Sequence, residues 1–403
     1  MGSFFVLFII KEGEKMNSFS IKPKVYFGQN ALEHLSELNY KKAFVVTDPF
    51  MIKCGAINTV TEPLKKAGIN YDIFSDIVPD PPIEIIAKGL KAMDSANPDV
   101  VIALGGGSAI DATKSIIYFR GMVKKGLYPE MEVEKPEFIA IPTTSGTGSE
   151  VTSFSVITDK LKNIKYPLVE EEMLPEKAIL DPKLVKSVPM KITADTGFDV
   201  LTHAIEAYVS TEASDFSDAL AEKAIKMVFE YLPKAYANGN DEIAREKMHN
   251  ASCMAGMAFN NASLGINHSM AHILGGKFHV PHGKANAILL PYVIEYNANL
   301  SDSYNAKNTI AAERYAEIAR FLGISNGNTR MAVKALINTI KNFAKSMDIP
   351  RNIKELGIEK SQYMSELSSL AEVALNDGCT ITNPRKPELK ELEALFTKVY
   401  NGI

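Results

Sequence analysis

Cysteine is scarce. Three residues, Cys54, Cys253 and Cys379, are spread through 403, and no two stand at the paired spacing of a zinc ribbon or a redox motif. That excludes a disulfide framework and fits reduced thiols in a cytosol, each expected to be a buried, small apolar residue. An excess of one charge is also missing. Lysine and arginine number 44 against 48 aspartate and glutamate, for a net charge of −4. The two signs are interspersed, so no basic stripe is available to follow a nucleic-acid backbone. Long hydrophobic runs are absent as well. The apolar stretch in MGSFFVLFIIKEGEK is too short to span a bilayer, and it lacks a basic leader and a small-residue cleavage site. The pattern of a folded domain starts at Met16 in MNSFSIKPKVYFG. Residues 1–15 are therefore read as an extra segment, either an upstream start-site artefact or a short tail. What remains is a soluble globular composition, 46% hydrophobic and long enough for two domains that work on a small molecule.

From residue 16 to about 190, short β-branched runs alternate with helix-like segments: KKAFVVTD, INTVTEPLKKAG, INYDIFSDI, PDVVIALGGG, SAIDATKSIIYF. That rhythm predicts βαβ units and a parallel sheet, an α/β dinucleotide-binding domain. From 191 to 403 the strand-like runs vanish, and amphipathic segments such as DALAEKAIKMVFEYLPKAY and MAVKALINTIKNFAKSM predict an all-helical domain. The boundary falls in SVPMKIT, where Pro189 interrupts the pattern and Thr193 offers an N-cap.

The two halves carry different chemistry. The strand Val100–Leu104 runs into Gly105, Gly106, Gly107 and Ser108 and then a helix. Glycines let backbone N–H groups approach a pyrophosphate, and the helix N-terminus adds partial positive charge. A plain tight turn is the alternative. A second strand, Phe138–Ile141, ends in Pro142-Thr-Thr144-Ser-Gly-Thr147-Gly-Ser-Glu150, a loop dense in hydroxyls. Two such loops can close on one nucleotide. Asp48 ends a third strand, where a carboxylate favours the free ribose hydroxyls of NAD over the 2′-phosphate of NADP, unless it is simply a turn residue before Pro49.

In the second half, Asp199 and His203 stand at i and i+4 in GFDVLTHAIEAY, and His268 and His272 repeat that spacing. His282 follows Pro281. On helices each pair projects from one face, which makes a metal constellation. Hydrogen-bonded or core histidines are the alternative.

Together, DVLTHAIEAYVS, NHSMAHILGGKFHVPHGKANAILLP, GGGSAID and IPTTSGTGSEVTSFSVITD resemble the iron-dependent alcohol dehydrogenases, from about Asn17 to the C-terminus. The resemblance implies a Rossmann-like, dehydroquinate-synthase-like α/β domain, an all-α domain and an active site in the cleft between them. It implies metal ligands Asp199, His203, His268 and His282, with His272 free beside the ion as a proton relay and His279 structural. It implies NAD(H) contacts from Asp48, Gly106, Gly107, Ser108, Thr144, Thr147, Thr152 and Lys165. Phe154 and Phe259 fall where the family lines its substrate pocket, with plain core packing as the alternative. Imidazole and carboxylate suit Fe2+ and Zn2+ alike, so iron follows from the resemblance alone.

Within that family, ASDFSDALAEKAIKMVFEYLP and MHNASCMAGMAFNNASLGINHSMAH look most like the propanol dehydrogenases of propanediol-utilising bacterial microcompartments. This implies reduction of propionaldehyde to 1-propanol with regeneration of NAD. It also implies a cytoplasmic or microcompartment location, a homo-oligomer, and microcompartment enzymes or shell as partners, with no membrane and no nucleic acid. A 1,3-propanediol or butanol dehydrogenase, a non-redox dehydroquinate-synthase-like relative and a docking protein with a vestigial site are the alternatives.

Overall fold

The computed structural model describes residues 18–130, 134–160, 164–300 and 308–402, so the segment 1–15 lies outside the described residues. Its strands are β1 (Lys24–Phe27), β2 (Lys42–Val46), β3 (Asn70–Phe74), β4 (Val100–Gly105), β5 (Glu137–Pro142), β6 (Phe154–Asp159), β7 (Ile164–Val169) and β8 (Lys177–Leu180). Six of them form one sheet in the order β1-β8-β5-β4-β2-β3, with every pairing parallel. Strand β4 is buried along its whole length, which explains its unbroken apolar run. Its residues alternate between two cores. Val100, Ile102 and Leu104 pack on one face of the sheet, Val101 and Ala103 on the other, as the two-residue repeat of a strand requires.

The first helices cover those faces: α1 (Pro49–Lys53), α2 (Asn58–Lys66), α3 (Ile83–Ala96) and α4 (Gly107–Leu127). Val60 and Leu64 of α2 join the first face; Ile86 and Met93 of α3, with Ile110 and Ile116 of α4, join the second. Strands β6 and β7 stand apart from the sheet as an antiparallel pair. The alternation of strands and helices in the sequence does not announce this hairpin.

Beyond the sheet the chain is helical: α5 (Met190–Val209), α6 (Asp215–Ala237), α7 (Glu242–Ala262), α8 (Ile266–Phe278), α9 (His282–Asn297), α10 (Ile310–Phe321), α11 (Thr329–Lys345), α12 (Lys360–Ser365), α13 (Leu367–Leu375) and α14 (Leu389–Asn401). Helix α5 is the axis of this half and is buried without a break from Gly197 to Val209. A helix enclosed on all sides must find an internal partner for each polar side chain it carries. No helix among the described residues is long and apolar enough to cross a membrane.

Two expectations need correction. Thr193 is not an N-cap: α5 begins at Met190 behind Pro189, and the backbone N–H of Thr193 already donates to the Pro189 carbonyl at 2.9 Å. Its hydroxyl accepts instead from Nη1 of the buried Arg245 at 2.7 Å, so a tertiary contact claims the group that would have capped the helix. Cys253 and Cys379 are buried as expected, but Cys54 is exposed. It ends α1, a five-residue helix with only Met51 buried, so the fold offers it no core.

Candidate functional site

Asp199 and His203 stand one turn apart on α5, His268 lies on α8, and His282 is the first residue of α9. Each offers one ligand atom, and all four atoms lie within 4.8 Å of one another. The rings of His203 and His268 stack at 4.4 Å, and those of His268 and His282 lie 5.3 Å apart. Asp199, His203 and His268 are buried, whereas the His282 side chain is 40% exposed and gives the cluster its open side. Gly283 permits the convergence. A Cβ there would sit 2.0 Å from the Asp195 carbonyl oxygen and 3.3 Å from Cβ of Asp199, so α9 can start against the backbone of α5 only without a side chain.

Electrostatics match the geometry. Burial opposes ionisation of Asp199, but the imidazoles of His203, His282 and His268 outweigh it and hold the carboxyl far below the usual range. Burial lowers His203 to about 3, so it is neutral and one ring nitrogen carries a lone pair that can ligate. His268 goes the other way: burial opposes its charge, but Glu206 and Asp199 raise it to about 9. Glu206 accepts from Nδ1 of His268 through Oε2 and from the backbone N–H of Asn267 at 2.8 Å through Oε1. A carboxylate on Nδ1 fixes the tautomer and leaves Nε2 for an ion. The Asn286 amide donates to Oδ1 of Asp199 at 2.7 Å and is itself held by Asn267 at 2.9 Å.

These residues fit a divalent metal. One carboxylate and three imidazoles form a donor set that Fe2+ and Zn2+ both take. Gathering them in a dry site is unfavourable until a cation joins them, and Nδ1 of His203 is buried with no hydrogen-bond partner.

His272 is not one of the four. Its ring stacks on that of His282 at 5.5 Å, its Nδ1 meets Oδ2 of Asp377 at 2.9 Å, and its side chain is 38% exposed. It connects the neighbourhood of the cluster to solvent. His279 caps α8 in the left-handed conformation (φ 55°), is exposed, and lies outside the cluster.

The cofactor candidates lie on the sheet side. A Cβ on Gly107 would fall 2.8 Å from Cγ2 of Thr147, and one on Gly106 would fall 3.5 Å from Thr144, so the glycine turn and the hydroxyl loop touch. Ser108 follows in the first turn of α4, whose N-cap Gly106 supplies no side chain to the terminal N–H groups and leaves them for an anion. Oδ1 of Asp48 accepts from the backbone N–H of Phe50 at 2.8 Å and Met51 at 3.1 Å, so Asp48 does cap α1. Its Oδ2 faces Gly105, 3.5 Å from where a Cβ would stand. Lys165 pairs with Thr158 across the β6–β7 hairpin, and its side chain lies outside the described atoms.

Thr152 is buried, and its hydroxyl accepts from Nζ of Lys114 at 3.1 Å. Lys114 is a residue the sequence reading missed. Fully buried, it donates also to Ser149 Oγ at 2.9 Å and to the Phe154 carbonyl at 2.7 Å. Burial lowers it to about 8 against the pull of Asp111 and Glu150, and burial raises Glu150 to about 7. Asp111 and Lys114 stand at i and i+3 on α4, a spacing that was open to notice. The loop then reaches the helical half: Ser145 Oγ meets Nδ1 of His249 at 3.0 Å, and a Cβ on Gly148 would be 2.7 Å from Cα of Gly256 in α7. Phe259 stacks on His203 at 4.5 Å, and Phe154 meets it edge-on at 5.9 Å, giving the cluster an apolar wall.

Residues 22–182 match the family described as iron-containing alcohol dehydrogenase, and residues 193–400 match the Fe-containing alcohol dehydrogenase family, C-terminal. The chain is 46% identical to the 1-propanol dehydrogenase PduQ of Citrobacter freundii over 386 residues, covering 95% of this chain and 100% of that one. It is 43% identical to an NADPH-dependent butanol dehydrogenase of Clostridium saccharobutylicum, covering 96% and 99%. The structure of the iron-containing alcohol dehydrogenase of Thermococcus thioreducens superposes with a TM-score of 0.85 at 34% identity, covering 96% and 100%. Both halves are matched in order and nearly end to end, and the chain belongs to the iron-containing alcohol dehydrogenase family.

Proposed function

We propose that this enzyme interconverts a short primary alcohol and its aldehyde with NAD(H), and that its working direction is reduction of propionaldehyde to 1-propanol. The observation that carries the proposal is the four-donor cluster of Asp199, His203, His268 and His282 beneath the ring of Phe259. The named relatives act on small alcohols. We read residues 16–190 as the nucleotide-binding domain, residues 191–403 as the metal-binding domain, and the space between them as the active site.

A divalent ion, Fe2+ in this reading and Zn2+ as the alternative, would be held by the four donors and supply a Lewis acid for the substrate oxygen. NAD(H), held by the glycine turn, Thr144, Thr147, Thr152, Lys165 and Asp48, would exchange the hydride. The chain's own residues supply the rest. Phe154 and Phe259 give an aliphatic chain an apolar wall and exclude water. Glu206 keeps His268 in the tautomer that presents Nε2. His272, oriented by Asp377, carries the hydroxyl proton between the pocket and solvent. Oδ2 of Asp48 favours NAD(H) over NADP(H) by repelling a 2′-phosphate, which would set this chain apart from its butanol relative. A homo-oligomer housed in the cytoplasm within a microcompartment belongs to the same proposal, on the strength of the sequence resemblance.

Anaerobic purification, metal analysis and a panel of aldehydes with NADH and NADPH test this reading. The expected result is one bound iron per chain with fastest turnover of propionaldehyde and NADH. Absence of net NADH oxidation with every simple aldehyde would overturn it.

A further inference from the structure

We propose a second divalent-cation site beside the first, formed by His272, Asp377 and Cys379. The three offer nitrogen, oxygen and sulfur donors that lie within 4.8 Å of one another. Helix α8 supplies the imidazole, and the short turn at Gly378–Thr382, which Asp377 caps, supplies the other two. That cap holds the carboxylate: Oδ1 of Asp377 accepts from the backbone N–H of Cys379 at 2.9 Å and from the Ser269 hydroxyl at 3.2 Å, while Oδ2 turns to His272. Held ligands favour ion capture because little order is lost on binding. The imidazole is the exposed member and the thiol the buried one, so an ion can enter from solvent on the histidine side.

The donor set selects its ion. Thiolate, imidazole and carboxylate together suit zinc, cobalt and related borderline metals and not magnesium or calcium. Burial and the neighbouring carboxylates of Asp377 and Glu206 push the Cys379 thiol well above its usual range, so an entering ion displaces that proton to solvent. It also takes the place of the proton that joins Nδ1 of His272 to Oδ2 of Asp377. The consequence for catalysis rests on the proposed function: an ion here occupies the imidazole assigned to proton transfer, so excess zinc inhibits without displacing the metal of the first site.

Cobalt titration of the whole protein, loaded under argon, separates the two sites, because sulfur occurs only in the second. The first equivalent should enter the oxygen and nitrogen site with no thiolate signature. A second should bring a thiolate-to-cobalt charge-transfer band in the near ultraviolet. Cys379→Ser should abolish the band and the second equivalent while keeping the first; Cys253→Ser should change neither. Should Cys379→Ser fail to fold, Asp377→Asn should weaken the second equivalent by about tenfold or more and keep the band in reduced amount. No band at two equivalents, or a band that survives Cys379→Ser, overturns the site. A band without zinc inhibition upholds the site and overturns the relay assigned to His272.

Discussion

Helices α4 and α5 are nearly equal in length, 21 and 20 residues, and both carry ionisable side chains into dry surroundings. On α4 those charges answer each other within the protein. Lys114 lies between Asp111, Glu150 and three oxygen acceptors, and its three donors are used up. On α5 the account stays open. Asp199 and His203 turn toward His268 and His282; Glu206 claims Nδ1 of His268, but a single amide, that of Asn286, reaches across Oδ1 of Asp199 and Nε2 of His268 and His282. A buried ionic group that is internally satisfied fixes loops; one that leaves several lone pairs converging marks where something else must bind. Perturbed titration occurs on both helices and so does not by itself separate scaffold from site.

That contrast can be broken most directly on α5. His203→Ala or His268→Ala should purify largely metal-free with activity at background, whereas His279→Ala, outside the cluster, should keep both; metal analysis and turnover read the outcome. If His279→Ala lost the metal and His268→Ala kept it, the ligand assignment would fall. On α4 the expected loss is of stability. Lys114→Met leaves buried carboxyls unpaired and should cost about 3–5 kcal/mol in denaturant unfolding, with metal affinity retained. A variant that unfolds like the wild type would show the cluster to be idle.

Glu206→Gln probes the boundary between the two behaviours, because Glu206 touches the cluster without belonging to it. Metal affinity should fall about 10- to 100-fold as the amide loses the hold on Nδ1, with the fold intact by circular dichroism. Asp48→Gly tests the nucleotide side. Glycine is tolerated at an N-cap at a cost of a few tenths of a kcal/mol, so the thermal midpoint should hardly move. The NADPH to NADH ratio of kcat/KM should rise about 10- to 100-fold. An unchanged ratio would reduce Asp48 to its capping role.

The smallest effect is a pH dependence. Burial pushes Glu150 up to about 7 in the fold from an ordinary 4.5, so the native state holds the extra proton between those limits. Its contribution to stability is therefore lost as pH rises through that window. Glu150→Gln should match the wild type near pH 4.5 and exceed it by roughly 1–3 kcal/mol above pH 7. A difference that does not vary with pH would mean that Glu150 ionises as freely in the fold as in the unfolded chain.

Much of the architecture was open to reading because it rests on local periodicity. The run Val100–Leu104 is apolar throughout since both its faces are covered, and Asp199 and His203 share a helical face by spacing alone. What was missed depends on contacts distant in sequence. Asp377 meets His272 across 105 residues, and nothing around NDGCT announces it. The exposure of Cys54 depends on α1 being too short to bury it, and the hydroxyl of Thr193 is claimed by Arg245, 52 residues away. Glu206 is a different miss. It stands three residues after His203 and seven after Asp199 on the same helix, so the i, i+4, i+7 repeat of one helical face reaches it.

Gly283 shows how the geometry of the cluster is gauged. Where two helices rest on side chains, their separation varies with rotamers and with every methylene gained or lost. Here the start of α9 rests on the carbonyl of Asp195, with no side chain interposed, beside the carboxylate that the cluster uses. Backbone is the least adjustable surface a protein has, so this contact works as a mechanical stop: the reach from His282 to Asp199 is set by the thickness of a peptide group, and repacking elsewhere in the core has little leverage over it.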